Sequence, residues 1–167
     1  MRRRAFRLGL AALALAGLAG AAAPSAGQEE EGRPVPRFVS LKSGEVNLRT
    51  GPGTRYPIDW VYQRAGYPVE IVAQFDIWRQ IRDADGTIGW VHQSLLSPKR
   101  TALVTGGVRT IRQKPSGSAA GVVLAEPGVV VELKSCDGDW CAVAARGYEG
   151  FLQRAELWGI YPDETIN

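Results

Sequence analysis

Few side chains in this sequence could do covalent chemistry. The 167-residue chain has one histidine, His92, and two cysteines, Cys136 and Cys141. A Cys–His hydrolase needs a free thiol, a base within hydrogen-bond reach and a third group to orient that base. His92 follows Trp90-Val91 in one half of the chain, and both cysteines lie in the other. A zinc site wants three or four His, Cys or carboxylate ligands at suitable spacing, and one His with a C-x4-C pair falls short. The sequence has no phosphate-cradling P-loop, dinucleotide-binding glycine pattern or nucleophile elbow. The expectation is a protein with no catalytic residue, metal or cofactor, in which His92 is a hydrogen-bonded strand residue.

The cysteines carry a different chemistry. Asp137-Gly138-Asp139-Trp140 lies between them. A tight hairpin over that loop sets its flanking residues opposite one another, near the separation a disulfide needs. The rival readings are two free buried thiols or a redox pair, but redox motifs favour C-x-x-C spacing. A structural Cys136–Cys141 disulfide is expected, stabilising by about 2 kcal/mol in the chain-entropy model.

Aromatic side chains are the remaining candidates for binding. Tyr56, Trp60, Tyr62 and Tyr67 crowd the stretch after Gly51-Pro52-Gly53. Such a cluster suits an extended or Pro-rich peptide, and it equally suits the core of a small domain. Arg49 and Arg112 recur at equivalent places. Each could grip a carboxylate through its fork or pin a loop through backbone carbonyls, and the second role is the commoner one. The candidate ligand-binding residues are therefore Tyr56, Trp60, Tyr62 and Arg49, with Trp78 and Trp90 read as structural.

The elements that must position these residues are strands. Glu45 to Arg49 alternates polar and apolar, Pro68 to Ala73 is β-branched, and Trp78 to Arg82 alternates again. Asp85-Gly86 marks a hairpin, and Thr87 to His92 returns from it. The same order of signals then recurs. Arg112 follows Arg49 by 63 residues, Trp140 follows Trp78 by 62 and Gly150 follows Gly89 by 61. The chain is read as all-β, with two tandem units of about 60 residues at 38–97 and 102–160 and a tail at 161–167. Units so small are marginal alone, and the connection Ser97 to Thr101 is short, so the two are expected to pack together.

The start of the chain is read as an export signal. Arg2, Arg3, Arg4 and Arg7 precede an uncharged, Ala- and Leu-rich stretch that ends in small residues, the pattern of a signal peptide at 1–27. Residues 28–37, acidic and Pro-containing, are expected to be a flexible lead-in. Once the signal is cleaved no stable membrane span is expected. Four of the 20 Lys and Arg and none of the 17 Asp and Glu lie in 1–27, which leaves 16 basic against 17 acidic residues. The basic balance belongs to the leader, and the remainder shows no Lys/Arg cluster, so nucleic acid is excluded as a partner.

Val46-Asn47-Leu48-Arg49-Thr50-Gly51-Pro52-Gly53-Thr54-Arg55-Tyr56-Pro57, then Trp78-Arg79-Gln80-Ile81, then Asp85-Gly86-Thr87-Ile88-Gly89-Trp90-Val91 resemble the bacterial SH3 (SH3b-type) domain. The second unit resembles a divergent copy, with Gln113-Lys114-Pro115-Ser116-Gly117-Ser118 in the loop and Phe151 where the first has Trp90. Cys136 to Val143 and Glu156 to Glu164 resemble the second half of exported two-SH3 bacterial proteins to which no activity is assigned. The resemblance implies two tandem SH3-like small β-barrels in the cell envelope, periplasmic or secreted, and, by analogy with domains that accompany cell-wall hydrolases, recognition of peptidoglycan or an extended peptide. The alternative is a structural or accessory subunit scaffolding an envelope protein complex.

Overall fold

The computed structural model describes residues 33–167, so the expected signal peptide and most of the lead-in lie outside the described residues. The first unit runs β1 (Arg37–Leu41), β2 (Val46–Arg49), β3 (Ile58–Tyr62), β4 (Pro68–Phe75), β5 (Trp78–Arg82), β6 (Ile88–His92) and β7 (Leu96–Ser97). The second runs β8 (Thr101–Val104), β9 (Arg109–Arg112), β10 (Gly121–Ala125), β11 (Val130–Asp137), β12 (Trp140–Ala145), β13 (Tyr148–Gln153) and β14 (Leu157–Trp158). The sheet orders are β3-β2-β6-β5-β4-β1-β7 and β10-β9-β13-β12-β11-β8-β14, one topology used twice. Each unit places a 3-10 turn, Gln93–Leu95 or Arg154–Glu156, before its last strand.

Both sheets curve round their own cores. In the first, Tyr62 from edge strand β3 and Leu96 from edge strand β7 pack into one cluster with Val39, Leu48, Ile71 and Ile81. Side chains from opposite edges can meet only if the sheet bends over them, as a small barrel does. The glycines that recur before Trp90 and Phe151 permit that bend. A Cβ on Gly89 would lie 2.5 Å from buried Leu48, and one on Gly150 would lie 2.5 Å from the Arg112 carbonyl oxygen. In both copies β2 or β9 passes too close for any side chain.

The expected disulfide is present. Cys136 and Cys141 face each other across β11 and β12 with Cα atoms 4.1 Å apart, and both are buried. The same register position in the first unit pairs Gln74 with Arg79. Arg79 is 1% exposed; its guanidinium donates to the carbonyls of Asp76 at 2.6 Å and Trp78 at 3.0 Å and to the Gln93 side chain. One copy thus holds its β4–β5 hairpin with a buried guanidinium, and the other holds the equivalent hairpin covalently. Reducing the protein is expected to lower its unfolding free energy by about 2 kcal/mol, the entropy of so short a loop. Urea midpoints that coincide with and without reductant would contradict this.

The units share an interface. On the outer face of the first sheet, Phe38 lies opposite Glu70, and Glu70 opposite Arg82. The Phe38 ring meets Trp158 edge-on, centroids 5.1 Å apart, and Tyr161 at 4.8 Å. Glu70 accepts from Arg82 Nε at 2.9 Å and from the Tyr161 hydroxyl at 2.7 Å. Arg64 donates to the Gly128 carbonyl at 2.8 Å, and Thr101 to that of Gly66 at 2.7 Å. Residues 161–167, read from sequence as a tail, are built into this arrangement. Arg154 donates to the carbonyls of Tyr161 and Glu164, both at 2.7 Å, and Glu164 pairs with Arg100. Ile166 exchanges two backbone hydrogen bonds with Cys136.

Among the described residues no helix is long and apolar enough to cross a membrane.

Candidate functional site

A groove of about 470 Å³ opens on the first unit between β3 and the β5–β6 turn. Trp60 and Tyr62 come to it from β3, Arg64 and Tyr67 from the segment before β4, and Asp85 and Thr87 from the turn. Asp83 builds that turn: its Oδ1 accepts from the Asp85 amide at 3.1 Å and the Thr87 amide at 2.8 Å, with Gly86 at φ 88° between them. An Asx side chain holding the backbone two residues on is the local reason a turn forms here. Its Oδ2 accepts from the buried Tyr62 hydroxyl at 2.9 Å. Tyr62 in turn stacks on Tyr67, centroids 5.7 Å apart. Trp60 is 58% exposed on the outer edge of the groove. The result is an aromatic surface bordered by a cation, a carboxylate and hydroxyls.

The phenols beside this groove stay neutral. Burial, then the hydrogen bond to Asp83, pushes the Tyr62 pKa far above the ordinary tyrosine value, and burial followed by the charges of Asp83 and Asp85 raises Tyr67. Burial and the bond to Glu70 raise Tyr161 at the interface in the same way. A folded-state pKa above the unfolded value contributes stability that is complete below the unfolded pKa and is lost as pH rises beyond it. The protein is therefore expected to destabilise above pH 10.0, the unperturbed tyrosine value, and the phenolate absorbance of Tyr62 and Tyr161 should rise only with unfolding. Titration of these phenols in protein that remains folded would contradict this.

The four residues expected to bind do not form one site. Trp60 and Tyr62 share the groove, although the Tyr62 ring belongs to the core and only borders the opening. Arg49 and Tyr56 act together elsewhere, as a loop clasp. Arg49 donates to the carbonyls of Thr54 at 3.2 Å and Tyr56 at 2.8 Å, and the Tyr56 ring lies directly against Gly51. Arg112 makes the matching bond to the Ala119 carbonyl at 2.8 Å, so the second loop keeps the clasp with Lys114 and Ser116 where the first has Gly51 and Gly53. These guanidinium groups face carbonyls because each loop folds back over its own strand.

Arg49 also borders a smaller hollow of about 280 Å³ with Trp78 and His92. His92 Nδ1 accepts from the Ser94 amide at 3.2 Å and lies 2.7 Å from its hydroxyl, which makes the ring the cap of the 3-10 turn. The equivalent surface of the second unit, at Trp140, is a larger groove of about 620 Å³ closed on one side by Ile160 and Pro162. Sequence reasoning missed Asp83, whose Asp-x-Asp-Gly context signals a turn but not a bond to a tyrosine 21 residues away.

Among known proteins, the family model of the bacterial SH3 domain matches residues 42–98 and again 108–159. No curated protein matches the chain. Solved structures with a similar course include NlpC2 from Trichomonas vaginalis, at 14% identity over 74% of this chain and 48% of that one, TM-score 0.34. NlpC1 from Trichomonas vaginalis follows at 14% identity over 75% and 46%, TM-score 0.34. An NlpC/P60 family protein from Bacillus cereus ATCC 10987 follows at 13% over 72% and 55%, TM-score 0.33. The chain spans about half the length of these structures. Two matched segments fall on the two sheets, with the clasp, the close-approach glycine and the strand order repeated in each, and the chain belongs to the bacterial SH3 domain family.

Proposed function

We propose that the protein is an exported, non-catalytic binding module of the bacterial cell envelope that recognises peptidoglycan or an extended peptide through its first SH3-like barrel. The observation that carries this reading is Trp60, more than half exposed on edge strand β3 beside a groove of about 470 Å³. A large aromatic held at the open edge of a sheet suits an extended ligand, whose backbone can pair with the strand while its side chains stack. The charged leader with its apolar run supports export, and so does the disulfide, which persists in an oxidising compartment. The periplasm or the exterior is the place this reading assigns to it.

Binding of the purified protein to isolated sacculi, or to their released peptides, tests the reading. Trp60→Ala is expected to weaken retention at least about tenfold, as loss of an aromatic anchor does, with the unfolding midpoint unchanged because the ring is solvent-facing. Failure of the wild type to be retained, or equal retention of the variant, would overturn it. The scaffolding alternative gains one observation, the exposed Val108, Val122, Leu124 and Tyr148 of the second barrel.

A further inference from the structure

The duplication allows the two barrels to be compared position by position. In the first, β2–β3 register pairs Val46 with Tyr62 and Leu48 with Trp60; in the second, β9–β10 register pairs Arg109 with Ala125 and Ile111 with Val123. Ala125 therefore stands where Tyr62 stands, and Val123 where Trp60 stands. Across the groove, Arg82 pairs with Ile88 and Ala144 with Glu149, which places Ala145 at the position of Asp83. The amides of Leu41 and Val104 bond the carbonyls of Tyr67 and Val129, so Val129 replaces Tyr67.

The tyrosine–aspartate pair that fills the first barrel at this point has become a pair of alanines. Removing large side chains without collapse of the surroundings leaves a hollow, and one is present: about 180 Å³, lined by Val123, Leu124, Ala125, Val129, Ala145 and Tyr148. An apolar hollow of this size takes a hydrocarbon group. Beside it, β10 is an edge strand that among the described residues is hydrogen-bonded only to β9. Its sequence, Gly-Val-Val-Leu-Ala, carries no charge or proline to discourage pairing, whereas edge strand β3 carries Asp59. Leu124 is 67% exposed. One charge borders the hollow: Arg146, which among the described residues has no ion-pair or hydrogen-bond partner.

We infer that the second barrel binds an extended protein segment that adds to β10, inserts an apolar side chain between Ala125 and Ala145 and sets an acidic residue against Arg146. The uncompensated cation beside an apolar socket selects that pairing. This stands independently of what the first barrel binds. It also gives the second copy a role of its own, in which the hollow is a socket.

Selection of random heptapeptides displayed on phage against the exported chain tests the inference. Peptides joining an aliphatic or aromatic residue to a neighbouring Asp or Glu are expected to be enriched. A synthetic copy should shift the amide resonances of residues 121–125 and bind at least tenfold more weakly to Ala145→Leu, which fills the socket. Arg146→Glu, at an exposed position that leaves the fold intact, should weaken it comparably and serves if the leucine variant does not fold. Trp60→Ala should bind normally, which separates this site from the first groove. The inference is overturned if no such peptides emerge, if they bind both second-barrel variants like the wild type, or if β10 pairs with a second copy, seen as a dimer in sedimentation that Leu124→Lys disperses.

Discussion

Asp83→Ala is expected to destabilise the protein by about 3 kcal/mol or more. The carboxylate is buried and accepts three hydrogen bonds, from the amides of Asp85 and Thr87 and from the Tyr62 hydroxyl. Bonds to a carboxylate contribute roughly 1.5–3 kcal/mol each, and losses within one cluster do not add fully. Two consequences combine. The β5–β6 turn loses the side chain that closes it, and a hydroxyl in the core is left without its acceptor, which carries its own desolvation penalty. Asp83→Asn keeps the shape and one acceptor and should cost less. Urea denaturation of the three proteins checks the order, and equal midpoints for wild type and Asp83→Ala would remove the cluster from any role in holding the groove. Because Trp60 and Tyr62 are carried on the strand this pair anchors, the sacculus binding proposed for the first barrel should fall with it.

Phe38→Ala is expected to cost about 3 kcal/mol and to change the form of unfolding. Truncating a buried phenylalanine costs about 3–5 kcal/mol where the site cannot collapse. Phe38 is buried although it lies on the outer face of its sheet, because Trp158 and Tyr161 cover it from the other barrel. Its loss also exposes buried Glu70, which Tyr161 and Arg82 hold in place. Small modules are marginal alone, so packing across this face makes the wild type unfold as one unit. Scanning calorimetry should show one transition for the wild type and two, both at lower temperature, for Phe38→Ala. A single transition at the wild-type temperature would show that the barrels do not depend on the contact.

Much of this architecture was legible in the residues. Alternation in Glu45–Arg49 and Trp78–Arg82 placed strands where β2 and β5 lie, and Asp85-Gly86 placed the turn between β5 and β6. The repeated Arg, Trp and Gly positions mark the duplication, and the C-x4-C spacing marks the disulfide. These signals are local, since side-chain period, turn chemistry and a five-residue separation all act within one hairpin. The site was less legible. Tyr56 and Arg49 were candidate ligand groups because aromatic and cationic side chains near a glycine loop serve equally to bind or to clasp, and what the structure adds is that both take part in the clasp.

The sequence by itself determined the all-β class, the two-unit repeat and the short list of reactive groups, because each follows from composition or from neighbours along the chain. Only the tertiary structure decided that Tyr62 is anchored by Asp83 and that Phe38 is an interface residue rather than part of its own barrel's core. It also decided that the second barrel has exchanged a tyrosine–aspartate pair for an apolar hollow. Each of these joins residues distant in sequence and brought together by sheet curvature or by docking of one barrel on the other, and no pattern within a single strand encodes where a neighbouring strand will place its side chains.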